Sequence, residues 1–341
     1  MGSVSLFNQR SIIGLLLGPV LFMLVLLMPL PEGMSPQGLS VAAIAVLMAV
    51  WWVTEAIPIP ATALLPIVLF PVMGVLSGSE VTRAYGNHLI YLFLGGFLIA
   101  VTMEKWNLHH RIALHTIRLV GLTPQRIVLG FMLATAFLSM WISNTATTMM
   151  MVTIAMAVIK EMRLDARQAS GRLDFAGVLM LGIAYAASLG GVATLIGTPP
   201  NAIFAGVVEK TYGISISFLD WMVFALPMSV LMLALCWLYL TRIVFARADL
   251  HLPGSQTVIR EQIDCLGAMT RQEKQVAAVF CSVAALWVLR GLYQPQGLAM
   301  VKDSTIAIGG ALLLFMIPVD ISKGEFLLDW KTAVRVPWDI I

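Results

Sequence analysis

Residues 127–159, and again 175–208, contain no Asp, Glu, Lys or Arg, yet a short polar tract interrupts each stretch. Apolar runs of this length exceed the roughly 20 residues that a helix needs to cross a bilayer. The interruptions are Ser143-Asn144-Thr145 and Gly197-Thr198-Pro199-Pro200-Asn201. Irregular backbone facing lipid would leave amide and carbonyl groups without partners, so such breaks belong where protein or a watery cavity surrounds them. Many secondary transporters build their binding sites from helices broken near the bilayer midplane. The two tracts therefore constrain fold and function together.

The rest of the chain agrees. It is 59% hydrophobic and only 11% charged, with a mean hydropathy of +0.90, outside the range of soluble domains. An all-α polytopic membrane protein is expected, with crossings at about 11–30, 38–55, 58–77, 87–104, 174–210, 218–243, 275–292 and 303–319, and a helix pair over 122–162 joined at Ser143-Asn144-Thr145. The first run is longer than a secretory signal core and no A-x-A site follows it, so a retained span is expected. With the N-terminus cytoplasmic, 17 of the 21 Lys and Arg fall on the cytoplasmic side. Only Arg83, Lys210, Arg290 and Lys302 fall outside, which is the bias expected of a plasma (inner) membrane protein.

Other features carry less. Residues 105–120 alternate apolar positions with Lys105, His109, His110, Arg111, His115 and Arg118, the pattern of an amphipathic helix lying at the cytoplasmic interface. His109 and His110 cannot share a helical face and no histidine pair is four apart, so an interfacial basic helix is expected rather than a metal site. Cys236 and Cys281 lie in apolar spans and read as buried free thiols. Glu55, among tryptophans and prolines, reads as an interfacial turn rather than a buried functional acid. No nucleophile elbow, phosphate-binding glycine loop or His-Glu metal helix is present, which argues against an intramembrane enzyme.

The chemistry of the breaks is specific. Ser143, Asn144 and Thr145 offer hydroxyls, an amide oxygen and freed carbonyls without formal charge, a set suited to a hard monovalent cation such as sodium. Ser139, four residues earlier, adds a hydroxyl on the same helical face, and Asn144 or Thr145 is positioned to cap a helix starting near Ala146. The alternative is a helix pair whose hydroxyls bond back to carbonyls or to neighbouring helices. In the second break, Gly190-Gly191 loosens the backbone, Gly197 permits unusual dihedrals, Thr198 is a good N-cap and Pro199 suits the first helical position. A new helix beginning inside the membrane is expected there, with a simple proline kink as the alternative. Two helix N-termini would favour an anion without any buried arginine.

Four tracts in order resemble the divalent anion:sodium symporter family, the sodium-coupled dicarboxylate and citrate transporters. They are Trp51-Trp52-Val53-Thr54-Glu55-Ala56-Ile57-Pro58, Phe93-Leu94-Gly95-Gly96-Phe97, Ser143-Asn144-Thr145-Ala146-Thr147 and Gly197-Thr198-Pro199-Pro200-Asn201-Ala202. The resemblance implies an inverted-repeat transporter with a re-entrant helical hairpin and a broken transmembrane helix in each repeat, homodimers, and an elevator-like movement. It also implies sodium ligands at Ser139, Ser143, Asn144 and Gly197, and substrate contacts at Asn144, Thr145, Thr198 and Pro199. Sodium is then co-transported, no organic cofactor is needed, and the partners are a small carboxylate anion and the lipid bilayer, with no nucleic acid.

Only one Ser-Asn-Thr and one Gly-x-Pro-Pro break occur, and Val336-Pro337-Trp338-Asp339-Ile340-Ile341 resembles the entry to a second copy of residues 89–97. The organisation expected is therefore an N-terminal peripheral span over 1–37 and a first repeat over 38–247. That repeat holds the interfacial arm at 105–120, the hairpin at 122–162 and the broken helix at 174–210. A cytoplasmic linker over 248–274 and an incomplete second repeat over 275–341 follow. Sodium-coupled symport of succinate, malate, fumarate or citrate is the reading for the complete protein, and these residues alone are expected not to transport. Rival readings are a sodium-independent anion exchanger, an arsenite- or sulfate-type permease, and a non-transporting fragment.

Overall fold

The computed structural model describes residues 9–121, 123–161, 175–244, 255–293 and 300–338. Outside them lie Leu122 and residue 162 of the expected hairpin, residue 174 of the broken helix, residues 248–254 of the linker and 339–341 of the tail. Arg163, Arg167, Arg172 and Arg247 of the charge bias lie outside them too. The chain divides into two compact units, Met1–Ile90 with Trp338–Ile341, and Tyr91–Pro337. Among the described residues, six helical stretches are long and apolar enough to cross a membrane.

The first unit opens with an antiparallel pair, α1 (Gln9–Leu26) and α2 (Pro36–Thr54). Ser11, Gly14 and Gly18 are the buried residues of α1. A Cβ at Gly14 would lie 1.9 Å from Thr54 Oγ1, and one at Gly18 2.5 Å from Trp51 Nε1. This Gly-x-x-x-Gly face lets two helices approach closely where lipid offers no hydrophobic drive. Its other face, including Ile13, Leu16, Val20 and Leu24, is exposed, as a lipid-facing surface requires. Ser35 caps α2 by accepting from Gly38 N at 3.1 Å, and Glu55 closes it in the left-handed region at φ 49°. Glu55 is exposed, as expected of a turn.

The crossing expected at 58–77 is not one helix. The chain forms α3 (Ile59–Ala63) and α4 (Leu65–Val72), then α5 (Gly78–Tyr85). Pro60, Pro66 and Pro71 are the cause: Pro66 has no N–H to donate, so the ladder restarts at Leu65, and Pro71 lies one residue before α4 ends. Tyr85 donates its hydroxyl to Ala63 O at 2.5 Å, fastening α5 back onto the end of α3.

Helix α6 (His88–Lys105) leads into the second unit, followed by α7 (Leu108–Val120), α8 (Pro124–Ser139), α9 (Asn144–Glu161), α10 (Phe175–Val192), α11 (Pro199–Tyr212) and α12 (Phe218–Leu238). A π-helical turn, Tyr239–Val244, ends α12. Then come α13 (Ser255–Leu266), α14 (Arg271–Leu292), α15 (Asp303–Met316), a hairpin of β1 (Pro318–Asp320) and β2 (Glu325–Phe326), and α16 (Trp330–Ala333). The two strands pair antiparallel.

Two expectations need correction here, and one gains detail. The amphipathic arm starts at Leu108, because Asn107 turns the chain through the left-handed region at φ 54° and separates it from α6. The described part of the linker holds a helix, α13, whose Ile259 and Ile263 are buried one turn apart. Cys281 is exposed and Cys236 half-buried, since α14 and α12 turn those positions outward.

Close packing brings helices of the second unit together, and polar ties fasten their ends. A Cβ at Gly95 of α6 would lie 2.6 Å from the backbone of Ala307 in α15, so these helices touch along a side-chain-free face. Beside them Trp141, Phe218 and Trp287 stack, with Phe218 and Trp287 centroids 4.4 Å apart and Phe280 edge-on to Trp141. Asp303 ties the end of this cluster. It accepts from Arg290 Nη1 and from the backbone N of Phe218, each at 2.8 Å, and its own carbonyl accepts from Trp287 Nε1 at 2.9 Å.

Candidate functional site: two broken helices tied together

The first break is short. Helix α8 ends at Ser139, residues 140–143 turn the chain, and α9 starts at Asn144 rather than near Ala146. Ser143 supplies the cap, its Oγ accepting from Ala146 N at 3.3 Å. Asn144 and Thr145 therefore lie inside the first turn, and their expected capping role falls to their neighbour. Nor do Ser139 and Ser143 share a helical face, since the helix has ended between them. Ser139 meets Asn144 instead.

The second break spans residues 193–198, between α10 and α11. Pro199 takes the first helical position as expected, and Thr198 takes the N-cap position at φ −150°, ψ 143°, although its hydroxyl makes no capping bond. The glycines act by closeness rather than by unusual dihedrals. Gly190 and Gly191 are helical and buried within α10. A Cβ at Gly190 would lie 2.2 Å from Ala136 O of α8, and one at Gly191 2.4 Å from Asn144 Oδ1. Gly197 lies against Gly191, whose carbonyl oxygen would stand 2.4 Å from an added Cβ.

Asn201 holds this break open, and its signal in the sequence is only its place in the Pro-Pro-Asn run. Its buried side chain, in the first turn of α11, turns back over the loop. Its Nδ2 donates to Gly191 O at 2.9 Å and to Thr194 O at 2.7 Å. One carbonyl freed by the end of α10 and one in the loop are thus served by the helix that follows. Helix α12 serves two more of them, as Trp221 Nε1 donates to Val192 O at 2.9 Å and Ser229 Oγ to Leu189 O at 2.6 Å. Replacing Asn201 by Leu strips Gly191 O of this donor and leaves Thr194 O with only the 3.3 Å bond from Gly197 N, and the expected loss of stability is about 1–3 kcal/mol. Thermal unfolding in detergent reads this, and Asn201→Asp is expected to fare worse because it turns a carboxylate onto carbonyl oxygens.

The two breaks meet through three contacts. Thr194 Oγ1 donates to Met140 O, joining loop to loop. Asn144 rests on Gly191. Ser139 Oγ, fully buried, lies 2.6 Å from Asn144 Oδ1 and 2.7 Å from Ala187 O. A hydroxyl has one hydrogen, so it serves one of these two acceptors at a time, while Ala187 O also stands within the α10 ladder. Three oxygens therefore converge here.

Of the expected cation ligands, the structure brings Ser139 and Asn144 together, sets Gly197 one step away against Gly191, and turns the Ser143 hydroxyl to its capping duty. Of the expected substrate contacts, Thr145 is exposed, while Thr198 and Pro199 are half-buried. Beside the breaks, Trp141, Ile196 and Gly96 help to line a void of about 10 Å³, room for about one water at most. Among the described residues no group of three His, Cys, Asp or Glu gathers as a metal site. His109 is instead committed to a contact of its Nδ1 with Met103 O at 3.1 Å, and burial holds its proton affinity below the usual imidazole range.

Spanning helices, an amphipathic arm, a helical hairpin and a broken helix tied tip to tip define a multi-pass membrane protein of the interrupted-helix class. The chain belongs to the family described as the sodium:sulfate symporter transmembrane region, whose profile matches residues 9–341. This is the divalent anion:sodium symporter family that the four motifs resemble. The chain is also similar to the sodium-dependent dicarboxylate transporter SdcS of Staphylococcus aureus strains USA300 and bovine RF122, at 44% identity over 342 residues in each. The match covers 98% of this chain and 66% of each of those proteins. Such relatives are transporters, not enzymes.

Proposed function

We propose that this chain supplies one half of the transport site of a sodium-coupled symporter for di- and tricarboxylates such as succinate, malate, fumarate and citrate. The observation that carries the proposal is the convergence of Ser139 Oγ on Asn144 Oδ1 at 2.6 Å and on Ala187 O at 2.7 Å. A sodium ion seated there satisfies all three oxygens, and the carbonyl-rich turn at Gly197 and the tip at Ser143 complete its shell. The cation fixes hairpin tip to helix break, and the N-termini of α9 and α11, at Asn144-Thr145 and Thr198-Pro199, then face a carboxylate group of the substrate. No buried arginine is required, because sodium and the helix ends balance the dianion in low dielectric. The relatives named above support sodium as the coupling ion and a dicarboxylate as cargo. We further assign a cytoplasmic N-terminus from the basic-residue bias, and homodimeric assembly.

The test is a sodium titration of the purified chain, read by tryptophan fluorescence and unfolding temperature, with choline as the control salt. A saturable response to sodium is expected, lost in Ser139→Ala and in Asn144→Ala. Equal responses to sodium, potassium and choline would overturn the cation assignment. In a chain extended to the relatives' length, succinate uptake that persists with choline in place of sodium would favour an exchanger or another anion permease over a symporter.

A further inference from the structure

A charged cluster lies away from the two uncharged breaks, where α6 leaves its apolar stretch. Glu104 and Lys105 close that helix, and the tail of the second unit docks on them. Lys105 Nζ donates to Phe326 O at 3.2 Å and to Asp329 Oδ2 at 2.6 Å, and Trp106 Nε1 donates to Leu327 O at 2.8 Å. Beside this joint is a cavity of about 370 Å³, lined by Val101, Glu104, Lys105, Asp329, Lys331 and Arg335 among others. Its charged lining is three cations and two carboxylates, a net charge of +1. The hydrogen bond from Lys105 holds the Asp329 carboxyl below the usual carboxylate range, so that pair stays ionised and engaged. Lys331 and Arg335 are exposed, four residues apart at the mouth.

The same short segment also exposes two apolar residues four apart. Trp330 and Val334 are exposed beside Lys331 and Arg335, with Trp330 70% exposed. Tryptophan beside basic residues at the end of a spanning helix is the pattern of the membrane–water interface. Basic pockets at that level select anionic headgroups.

We propose that this cavity binds the phosphodiester headgroup of an anionic phospholipid, with Lys331 and Arg335 on the phosphate oxygens and Trp330 and Val334 against the upper acyl chains. A surplus of one positive charge matches a phosphatidylglycerol monoanion. It gives less to a zwitterionic phosphatidylcholine, and the apolar shoulder gives nothing to a soluble anion. Because the site hangs on the end of α6 and the tail, its occupancy is independent of the sodium reading above.

The experiment adds phosphatidylglycerol, phosphatidylcholine or inorganic phosphate to the chain purified in detergent and follows the unfolding temperature. Each variant is compared with itself without additive. The expected result is a saturable rise of several degrees with phosphatidylglycerol, absent with the other two. The rise is expected to vanish in Lys331→Gln/Arg335→Gln and to survive in Lys331→Arg/Arg335→Lys. An equal rise with phosphatidylcholine, an undiminished rise in the glutamine variant, or no rise with phosphatidylglycerol would overturn the proposal. Inorganic phosphate reproducing the rise would overturn the lipid as occupant and leave a soluble phosphate in its place.

Discussion

Gly190→Ala is expected to unfold the second unit or to cost it about 3 kcal/mol or more, the upper end of what added core atoms do. The new methyl would lie 2.2 Å from Ala136 O and 2.5 Å from Ala136 Cα. Both are backbone atoms, which cannot swing aside as a side-chain tip can. Gly182, two turns earlier on α10, is the control. A Cβ there first meets the flexible Met132 side chain at 3.2 Å, so Gly182→Ala is expected to be near neutral, its small crowding offset by about 0.5–1 kcal/mol of helix propensity. Thermal unfolding of the two variants in one detergent checks the contrast, and equal losses would show that helix contact at Gly190 is not the constraint.

The consequence reaches the proposed sodium site. Ala136 and Ser139 lie three apart on α8, and Ala187 and Gly190 three apart on α10, so each pair shares one helical face. The contact that seats Gly190 on Ala136 is the contact that sets Ser139 Oγ 2.7 Å from Ala187 O. Forcing the helices apart at one end opens the other. A Gly190→Ala protein that still folds is therefore expected to have lost its fluorescence response to sodium.

These relations explain which parts of the molecule could be read from residues alone. Hydropathy distinguishes lipid from water, so the second crossing, expected at 38–55, coincides with the helix Pro36–Thr54. Proline chemistry is equally local, and Thr198-Pro199 marks the start of α11 to the residue. Hydropathy does not register what proline does to a ladder inside an apolar run, so 58–77 looks like one span and is two short helices. Nor does it register partners distant in sequence. Asn201 reads as part of a turn signal, yet its side chain satisfies carbonyls up to ten residues earlier. The glycines of α10 read as loosening elements, because flexibility is a property of the residue alone. Their use as flat surfaces depends on Ala136 and Asn144, which only the folded chain brings near. Ser139 and Asn144 are legible as oxygens suited to a cation, while Ala187, a backbone carbonyl in an apolar helix, carries no sequence signal at all.

Arg111 shows the same limit and has the second large expected effect. In the sequence it is one basic residue of an amphipathic arm. In the fold its guanidinium is mostly enclosed and spends its donors on two other elements. Nε donates to Glu273 Oε1 at 2.8 Å and Nη2 to Glu273 Oε2 at 3.2 Å, a two-pronged pair. Nη1 donates to Gly267 O at 2.9 Å and Nη2 to Leu266 O at 3.1 Å, serving carbonyls at the end of α13. Glu273, only 4% exposed in its side chain, belongs to the capping box that starts α14 and accepts from Thr270 N at 2.6 Å. One cation therefore locks α7, α13 and α14 into a corner.

Arg111→Ala leaves that carboxylate enclosed without its counter-ion, and removing one partner of such a pair costs about 3–5 kcal/mol. Arg111→Lys is expected to recover little, because a single ammonium cannot serve two carboxylate oxygens and two carbonyls in one plane. Arg111→Met/Glu273→Leu removes both charges together and is expected to be more stable than Arg111→Ala alone, since the stranded charge, rather than the lost attraction, dominates the loss. Unfolding temperatures order the three variants, and trypsin cleavage after Arg260 and Arg271 reports whether the corner has opened. Were Arg111→Ala to unfold at the wild-type temperature with unchanged cleavage, the guanidinium would be an ornament of the arm and the corner would be held by α13 packing alone.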